Sequence, residues 1–185
     1  MSIIWCGGED IDFEYKINPD YSTSTSNRRA AWSRVALDTL DTGGCIFGSP
    51  LFTPITSCWV HAYFVEFNST TVSNYLTLYL RDSTTSALLG IGVSNTSGSD
   101  NVALLRHDGS YTLLDYETGG LWNGFIGPID FQVVSYGASG TVKVYMNGVE
   151  VINFTGDLVG SSGATGLDQL RVCLLYTSDA ADDLA

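Results

Sequence analysis

The chain has 185 residues, of which 44% are hydrophobic, and 8 Lys and Arg against 20 Asp and Glu give it a formal net charge of −12. This length and apolar content suit one folded domain, and the acidic balance argues against nucleic acid or an anionic membrane surface as a partner. No apolar run approaches the roughly 20 residues of a membrane-spanning helix, and residues 1–5 carry no visible secretory signal, so we expect folding in a cytoplasm.

Short segments of alternating apolar and polar residues follow one another along the chain, and no segment of ten or more residues shows the helical period of 3.6. Asn147-Gly148 separates two such segments and predicts a type I′ hairpin, because both residues tolerate positive φ. Longer surface loops, rich in small and polar residues, are expected at 18–29 and 156–166. In chain order the predicted strands are 3–6, 11–17, 32–37, 45–47, 58–67, 75–81, 87–93, 102–105, 111–116, 129–136, 141–146, 149–154 and 167–172.

So many short strands in one small domain predict an all-β fold, in which two antiparallel sheets pack face to face as a jelly-roll sandwich. The segment 58–67 is apolar on both faces, which is typical of a central strand. Trp32 and Trp59 each stand at the head of a strand, and we predict that both belong to the core.

The body of the chain has three cysteines, Cys6, Cys45 and Cys58, and an odd number cannot all pair in disulfides within the chain. We expect reduced thiols that pack as small apolar residues, with a Cys45–Cys58 disulfide as the alternative. His61 and His107 stand apart from any cysteine pair, so the sequence does not predict a zinc site.

The end of the chain shows a pattern of a different kind. Residues 173–182, CLLYTSDAAD, resemble the codon-by-codon translation of a transposase-type sequencing-library adapter. We therefore expect one folded domain over residues 1–172 and a non-native tail without function over residues 173–185. The alternative is a native tail that matches by chance.

Three groups of motifs carry a resemblance to a known superfamily. They are WVHAYF at 59–64 with the strands that follow it, LW at 121–122 with IDFQV at 129–133, and SGTVKVYMNG at 139–148 with FTGD at 154–157 and LDQLR at 167–171. Residues 45–172 resemble the concanavalin A-like lectin/glucanase superfamily, which includes laminin-G-like domains, in the versions found in phage virion proteins. The start of the chain, IIWCGGEDIDF at 3–13, also resembles phage structural proteins. The resemblance implies a jelly-roll architecture rather than one activity, since this fold serves lectins, hydrolases and structural modules.

A row of acidic residues near the start of the chain is the candidate for catalysis. Alternation places Asp10, Asp12 and Glu14 on one face of a strand, and retaining glycosidases of the superfamily use such a row as nucleophile and acid/base. The pattern departs from the family because Asp10 stands where the family has glutamate, and because the row comes so early in the chain. We favour an edge strand with solvated carboxylates, which also discourages edge-to-edge association, and we predict no enzymatic activity.

Two binding sites are also considered. Ca²⁺ prefers oxygen ligands on loops, so the candidate metal ligands are Asp38, Asp41, Asp115 and Glu117, although a solvated acidic surface is the simpler interpretation and no cofactor is required. Aromatic rings stack on sugars and amides bond to hydroxyls, so the candidate carbohydrate-binding residues are Trp122, Asn123, Tyr116, Tyr111 and His107.

We therefore predict a non-catalytic structural protein of a phage virion, in the tail, a fibre or the capsid decoration, which folds in the host cytoplasm. Its lectin-like surface would bind a glycan or neighbouring virion subunits, and homo-oligomers are plausible. One alternative is a secreted or cell-surface carbohydrate-binding module located outside the cell. The other is a glycoside hydrolase that uses Asp10, Asp12 and Glu14.

Overall fold

The computed structural model describes residues 15–17, 45–64, 75–94, 101–120 and 125–174, and all regular structure in these ranges is β-strand. No helix among these residues is long and apolar enough to cross a membrane. The strands are β1 (Tyr15–Ile17), β2 (Cys45–Gly48), β3 (Cys58–Phe64), β4 (Tyr75–Arg81), β5 (Leu88–Ser94), β6 (Asn101–His107), β7 (Tyr111–Tyr116), β8 (Gly127–Ser135), β9 (Gly140–Met146), β10 (Val149–Gly156) and β11 (Gln169–Leu174).

The strands form two sheets. One has seven strands in the order β1-β2-β11-β4-β5-β6-β7, and the other has four in the order β10-β9-β8-β3. Every pairing between the described strands is antiparallel. The prediction of an all-β sandwich of two antiparallel sheets is therefore confirmed.

One apolar core joins the two sheets. Burial alternates along β9, where every second residue is buried, as expected when one face of a strand points inward. Because the cluster takes side chains from both sheets, the sheets pack face to face around it. The core residues of the seven-stranded sheet are Leu78, Leu80, Leu89, Ile91, Val93, Val102 and Leu104, and those of the four-stranded sheet are Ile129, Phe131, Val133, Val142, Val144, Met146 and Ile152.

The hairpin between β9 and β10 has the predicted form. Asn147 and Gly148 have φ values of 50° and 79°, and Met146 pairs with Val149 directly across the turn. A type I′ turn requires positive φ at both central residues, and its twist matches that of the strands that flank it. This hairpin fixes the register of β9 and β10, and with it the side chains that share the outer face of the four-stranded sheet.

The LDQLR motif has a structural role. Asp168 is buried and accepts hydrogen bonds from the backbone N–H of Ser83, at 2.9 Å, and from the Ser83 hydroxyl. Gln169 donates to the carbonyl of Ser49 at 2.9 Å and accepts from Arg171 Nε at 2.8 Å. These polar contacts attach β11 to the β4–β5 turn and to the end of β2. Because Asp168 and Gln169 form hydrogen bonds, their burial does not carry the free-energy cost of unpaired polar groups.

Most predicted strands agree with the observed ones. β4 and β7 match residue for residue, and other strands differ by a few residues at their ends. Residues 11–14 and 65–67 of the predicted strands 11–17 and 58–67 lie outside the described residues. The predicted strands 3–6 and 32–37 lie outside the described residues. β11 continues to Leu174, two residues into the segment predicted to be a non-native tail, and pairs there with β2. Backbone pairing needs no particular side chain, so this continuation is compatible with either origin of the tail.

Cys58 is a free thiol on the inner side of β3, where it packs against the core. Burial raises the pKa of its thiol to about 11, against an ordinary value of 9.0, although a hydrogen bond with the backbone of Val133 partly opposes the rise. In the structure Cys58 is unpaired, so it does not form the alternative Cys45–Cys58 disulfide. Because the reactive species is the thiolate, Cys58 is protected from modification at neutral pH.

Alkaline solution is expected to destabilise the fold through this thiol. The unfolded chain loses the Cys58 proton near pH 9, whereas the native protein keeps it until about pH 11. The stabilisation is complete below pH 9 and is lost as the pH rises through 11. The midpoint of urea denaturation should therefore fall between pH 9 and pH 11. Burial also raises the pKa of Tyr136 to about 12, so this side chain adds to the loss of stability at high pH. In Cys58→Ala the fall should be shallower, and an equal fall in both proteins would contradict the assignment.

Candidate functional site

The outer face of the four-stranded sheet carries a group of aromatic and polar side chains. Along β3 the inward residues Val60 and Ala62 pack against the core, so alternation turns Trp59 and His61 outward. The register aligns His61 of β3 with Asp130 of β8 and aligns Asp130 with Tyr145 of β9. We call the four outward residues Trp59, His61, Asp130 and Tyr145 the Trp59 cluster.

Asp130 organises the cluster. Its Oδ1 atom accepts one hydrogen bond from Trp59 Nε1 at 2.9 Å and is 2.7 Å from His61 Nδ1. A carboxylate at neutral pH only accepts hydrogen bonds, so the proton between these atoms belongs to His61 Nδ1. In the neutral ring, Nε2 is then the unprotonated nitrogen, and the histidine side chain that carries it is 58% exposed. Asp130 thus sets both the orientation of the indole and the tautomer of the imidazole.

Trp59 is exposed although it is the largest apolar side chain of the cluster. It keeps 49% of its surface exposed, and its ring lies within 6° of parallel to the Tyr145 ring, with 5.8 Å between the ring centroids. The two residues belong to strands on either side of β8, so the contact runs diagonally across Asp130. The stacking and the hydrogen bond from Nε1 together hold the indole in one orientation at the surface.

The lysine on the outer face of the four-stranded sheet, Lys143, lies beside the cluster and is paired. Lys143 Nζ is 3.0 Å from Glu150 Oε2, and Asn153 donates to Glu150 Oε1 at 2.9 Å. The hydrogen bond with Glu150 raises the pKa of Lys143, and the hydrogen bonds from Lys143 and Asn153 lower the pKa of Glu150. The charge of Lys143 is therefore compensated within the hairpin and is not available as a free cation.

The prediction that Trp59 belongs to the core is wrong, and Trp32 lies outside the described residues. The error has a physical origin. β3 has apolar residues at both alternating sets of positions, so the sequence does not show which set faces the core. A signal was present nonetheless: Trp59 alternates with Cys58, Val60 and Ala62, residue types that are fully buried more often than Trp and His. His61, Asp130 and Tyr145 were also missed as a group, since only strand pairing brings them together.

The described residues among those predicted to bind carbohydrate, His107, Tyr111 and Tyr116, lie on a different sheet. His107 and Tyr111 face each other across the β6–β7 hairpin with ring centroids 4.8 Å apart, and Tyr111 is 48% exposed. His107 Nδ1 is buried and has no hydrogen-bond partner among the described residues. Tyr116 instead packs onto a small apolar cluster with Tyr79 and Leu105. Trp122 and Asn123 lie outside the described residues, and of the three described positions the structure brings His107 and Tyr111 together.

Of the predicted metal ligands, Asp115 and Glu117 are used locally. Asp115 accepts from the backbone N–H of Tyr116 at 2.9 Å, and Glu117 accepts from the backbone N–H of Gly119. In the described part of the chain no three His, Cys, Asp or Glu side chains converge to hold a metal ion. Asp38 and Asp41 lie outside the described residues, as do Asp10, Asp12 and Glu14.

A second polar group, not identified from the sequence, closes one end of the sandwich. Arg106 is 3.2 Å from Asp157 Oδ2 and also donates to the Asp157 carbonyl at 2.8 Å. Asp108 accepts from the backbone N–H of Ser161 at 2.8 Å, and this hydrogen bond lowers the pKa of the Asp108 carboxyl. The contacts hold the loop after β10 against the β6–β7 hairpin. Because each carboxylate is engaged by the chain itself, we assign this group to structure.

Scans against protein-family models, curated proteins and solved structures find no match for this chain. The functional argument therefore rests on the residues of the outer face.

Proposed function

We propose that this protein is a non-catalytic, lectin-like binding protein whose outer face on the four-stranded sheet binds glycans. The observation that carries the proposal is the exposed Trp59 ring, held in place by Asp130 and stacked on Tyr145. An indole left half in water forgoes the free energy that burial would give it, about 25 cal/mol per Å². What sets Trp59 apart from the other exposed apolar side chains is that its ring is held in one orientation, which supports a role as a stacking surface for a ligand.

A sugar suits the Trp59 cluster chemically. The C–H face of a pyranose ring packs on an aromatic ring, while its hydroxyls need hydrogen-bonding groups at the edge of that ring. Asp130 and His61 supply such groups next to the indole. The surface is an open sheet face, which favours binding of a chain or branch of sugar over enclosure of a small molecule.

Trp59→Ala is the test of the proposal. The wild-type protein is applied to an array of neutral and acidic glycans, and every hit is measured again by calorimetry with the variant. We expect the variant to bind at least about 30-fold more weakly, the loss typical of a central aromatic residue worth 2 kcal/mol or more. Because Trp59 is half exposed, the far-UV spectrum and the urea midpoint should change little.

Two variants separate the outer face from the rest of the surface. Leu51→Ala removes an apolar side chain that is 60% exposed in the loop after β2, and it should leave binding unchanged. Tyr111→Ala tests the His107–Tyr111 surface, whose exposure matches that of Trp59. Loss of binding in Tyr111→Ala with full binding in Trp59→Ala would move the site to the other sheet, and the absence of any glycan hit would refute the proposal.

Within the same proposal, the protein is a structural component of a phage virion with a jelly-roll sandwich of the concanavalin A-like kind. The support is the resemblance of the motifs at 59–64, 139–148 and 167–171, together with the acidic charge. Negative-stain microscopy of particles from a host that expresses the chain with its neighbouring genes would test this, since a virion component must co-purify with particles. A secreted module would instead be recovered from the medium.

Contact between virion subunits is the second candidate for the same face. Val134, on the outward parity of β8, is 44% exposed and adds apolar surface to the same sheet face as Trp59. Exposed apolar patches frequently mark interfaces between proteins. Sedimentation velocity distinguishes the two functions, because a subunit interface predicts concentration-dependent association that Trp59→Ala abolishes, whereas glycan binding predicts a species unchanged by that substitution.

A further inference from the structure

Asp130 and His61 each present a hydrogen-bond acceptor beside Trp59, while Gln132, the cross-strand partner of Trp59, carries an amide that both donates and accepts. Asp130 Oδ1 already accepts from Trp59 and His61, and the carboxylate's other oxygen, Oδ2, has no partner among the described residues. His61 donates through Nδ1, so Nε2 of the neutral ring is also an acceptor. A ligand that lies on the indole therefore meets two acceptor atoms, which call for hydroxyl donors.

The charges on this face act in the same direction. Lys143 is the only basic side chain other than His61 on the described part of the outer face, and it is held 3.0 Å from Glu150. Asp130 and Glu150 outweigh that single cation, and the whole chain carries a net charge of −12. An acidic sugar would bring a carboxylate or sulfate next to Asp130 without a free cation to pair with, and like charges in close contact repel.

From these two features we infer that the ligand is a neutral, hydroxyl-rich pyranose glycan, and that glycans bearing carboxylate, sulfate or phosphate groups are rejected. This inference rests on the proposed glycan-binding function. Asp130 is the specificity-determining residue: its Oδ1 positions the indole and the imidazole, while its Oδ2 accepts from sugar hydroxyls. The same carboxylate repels acidic glycans, so Asp130 both selects neutral glycans and excludes acidic ones.

Matched pairs of glycans provide the test. Each pair shares one core, with and without a sialic acid or sulfate group, and binding to wild-type protein is measured by calorimetry. We expect the neutral member to bind at least about tenfold more tightly in every pair that binds. The Asp130→Asn variant keeps the shape and an acceptor for Trp59 but removes the charge, so the affinity for neutral glycans should fall about tenfold while that for acidic glycans holds or rises.

Asp115→Asn makes the same change of net charge on the other sheet and controls for long-range electrostatics. It should leave the ratio of neutral to acidic binding as it is in the wild type. Equal or tighter binding of acidic members, still lost in Trp59→Ala, would overturn the inference and leave the proposed function standing. If no glycan of either kind binds, both fall together. If Asp130→Asn leaves the ratio unchanged, Asp130 is not the specificity determinant.

Discussion

Phe131→Ala is expected to lower the free energy of unfolding by about 3–5 kcal/mol, the cost typical of deleting a large aromatic side chain from a packed core. Phe131 is fully buried, and its strand partners Val60 and Val144 lie on the inner face of the same sheet. Removal of the ring leaves a cavity between the two sheets that neighbouring side chains fill only in part. Since domains of this size are stable by roughly 5–15 kcal/mol, this variant should be close to the limit of folding.

Urea denaturation followed by tryptophan fluorescence and far-UV circular dichroism measures the effect. Val134→Ala is the matched control, because it lies on the same strand with its side chain 44% exposed on the opposite face. The control should change stability by no more than about 0.5 kcal/mol. Similar losses in the two variants would mean that Phe131 is not enclosed between the sheets.

Gly90→Ala is expected to lower the free energy of unfolding by about 3 kcal/mol, although alanine is normally more stable than glycine in the interior of a strand. Gly90 pairs with Tyr79, and a Cβ at Gly90 would overlap the Tyr79 Cβ and the Leu78 carbonyl and would lie 2.5 Å from the Tyr79 Cα. Backbone atoms of a central strand cannot move aside as the end of a flexible side chain can. The methyl group must therefore push β4 and β5 apart.

Gly137→Ala is the control for the same chemical change. Gly137 lies in the β8–β9 turn, and a Cβ there would meet nothing within 4 Å. The free energy of unfolding of Gly137→Ala should stay within about 0.5 kcal/mol of the wild type, or rise slightly because alanine reduces the conformational freedom of the unfolded chain. If Gly90→Ala were as harmless as Gly137→Ala, the close approach of β4 and β5 at Tyr79 would be wrong.

The sequence did not predict the candidate site. His107 and Tyr111 were proposed as sugar-binding residues for their aromatic rings, and the structure places those rings 4.8 Å apart on the other sheet. The Trp59 cluster was missed because Trp59 and Tyr145 are far apart in the sequence. Their rings meet only because β3 and β9 pair with opposite edges of β8. No local pattern reports a diagonal contact between strands that are not neighbours.

The amino-acid sequence by itself determined the fold class. Alternation with period two, the absence of a helical period and the Asn147-Gly148 turn act over a few residues, and each limits the backbone locally. Only the tertiary structure decided which face of β3 is buried. When both parities of a strand are apolar, the choice depends on which face meets the opposite sheet, and strands distant in the sequence settle that choice. This choice places Trp59 beside Asp130 at the surface rather than in the core.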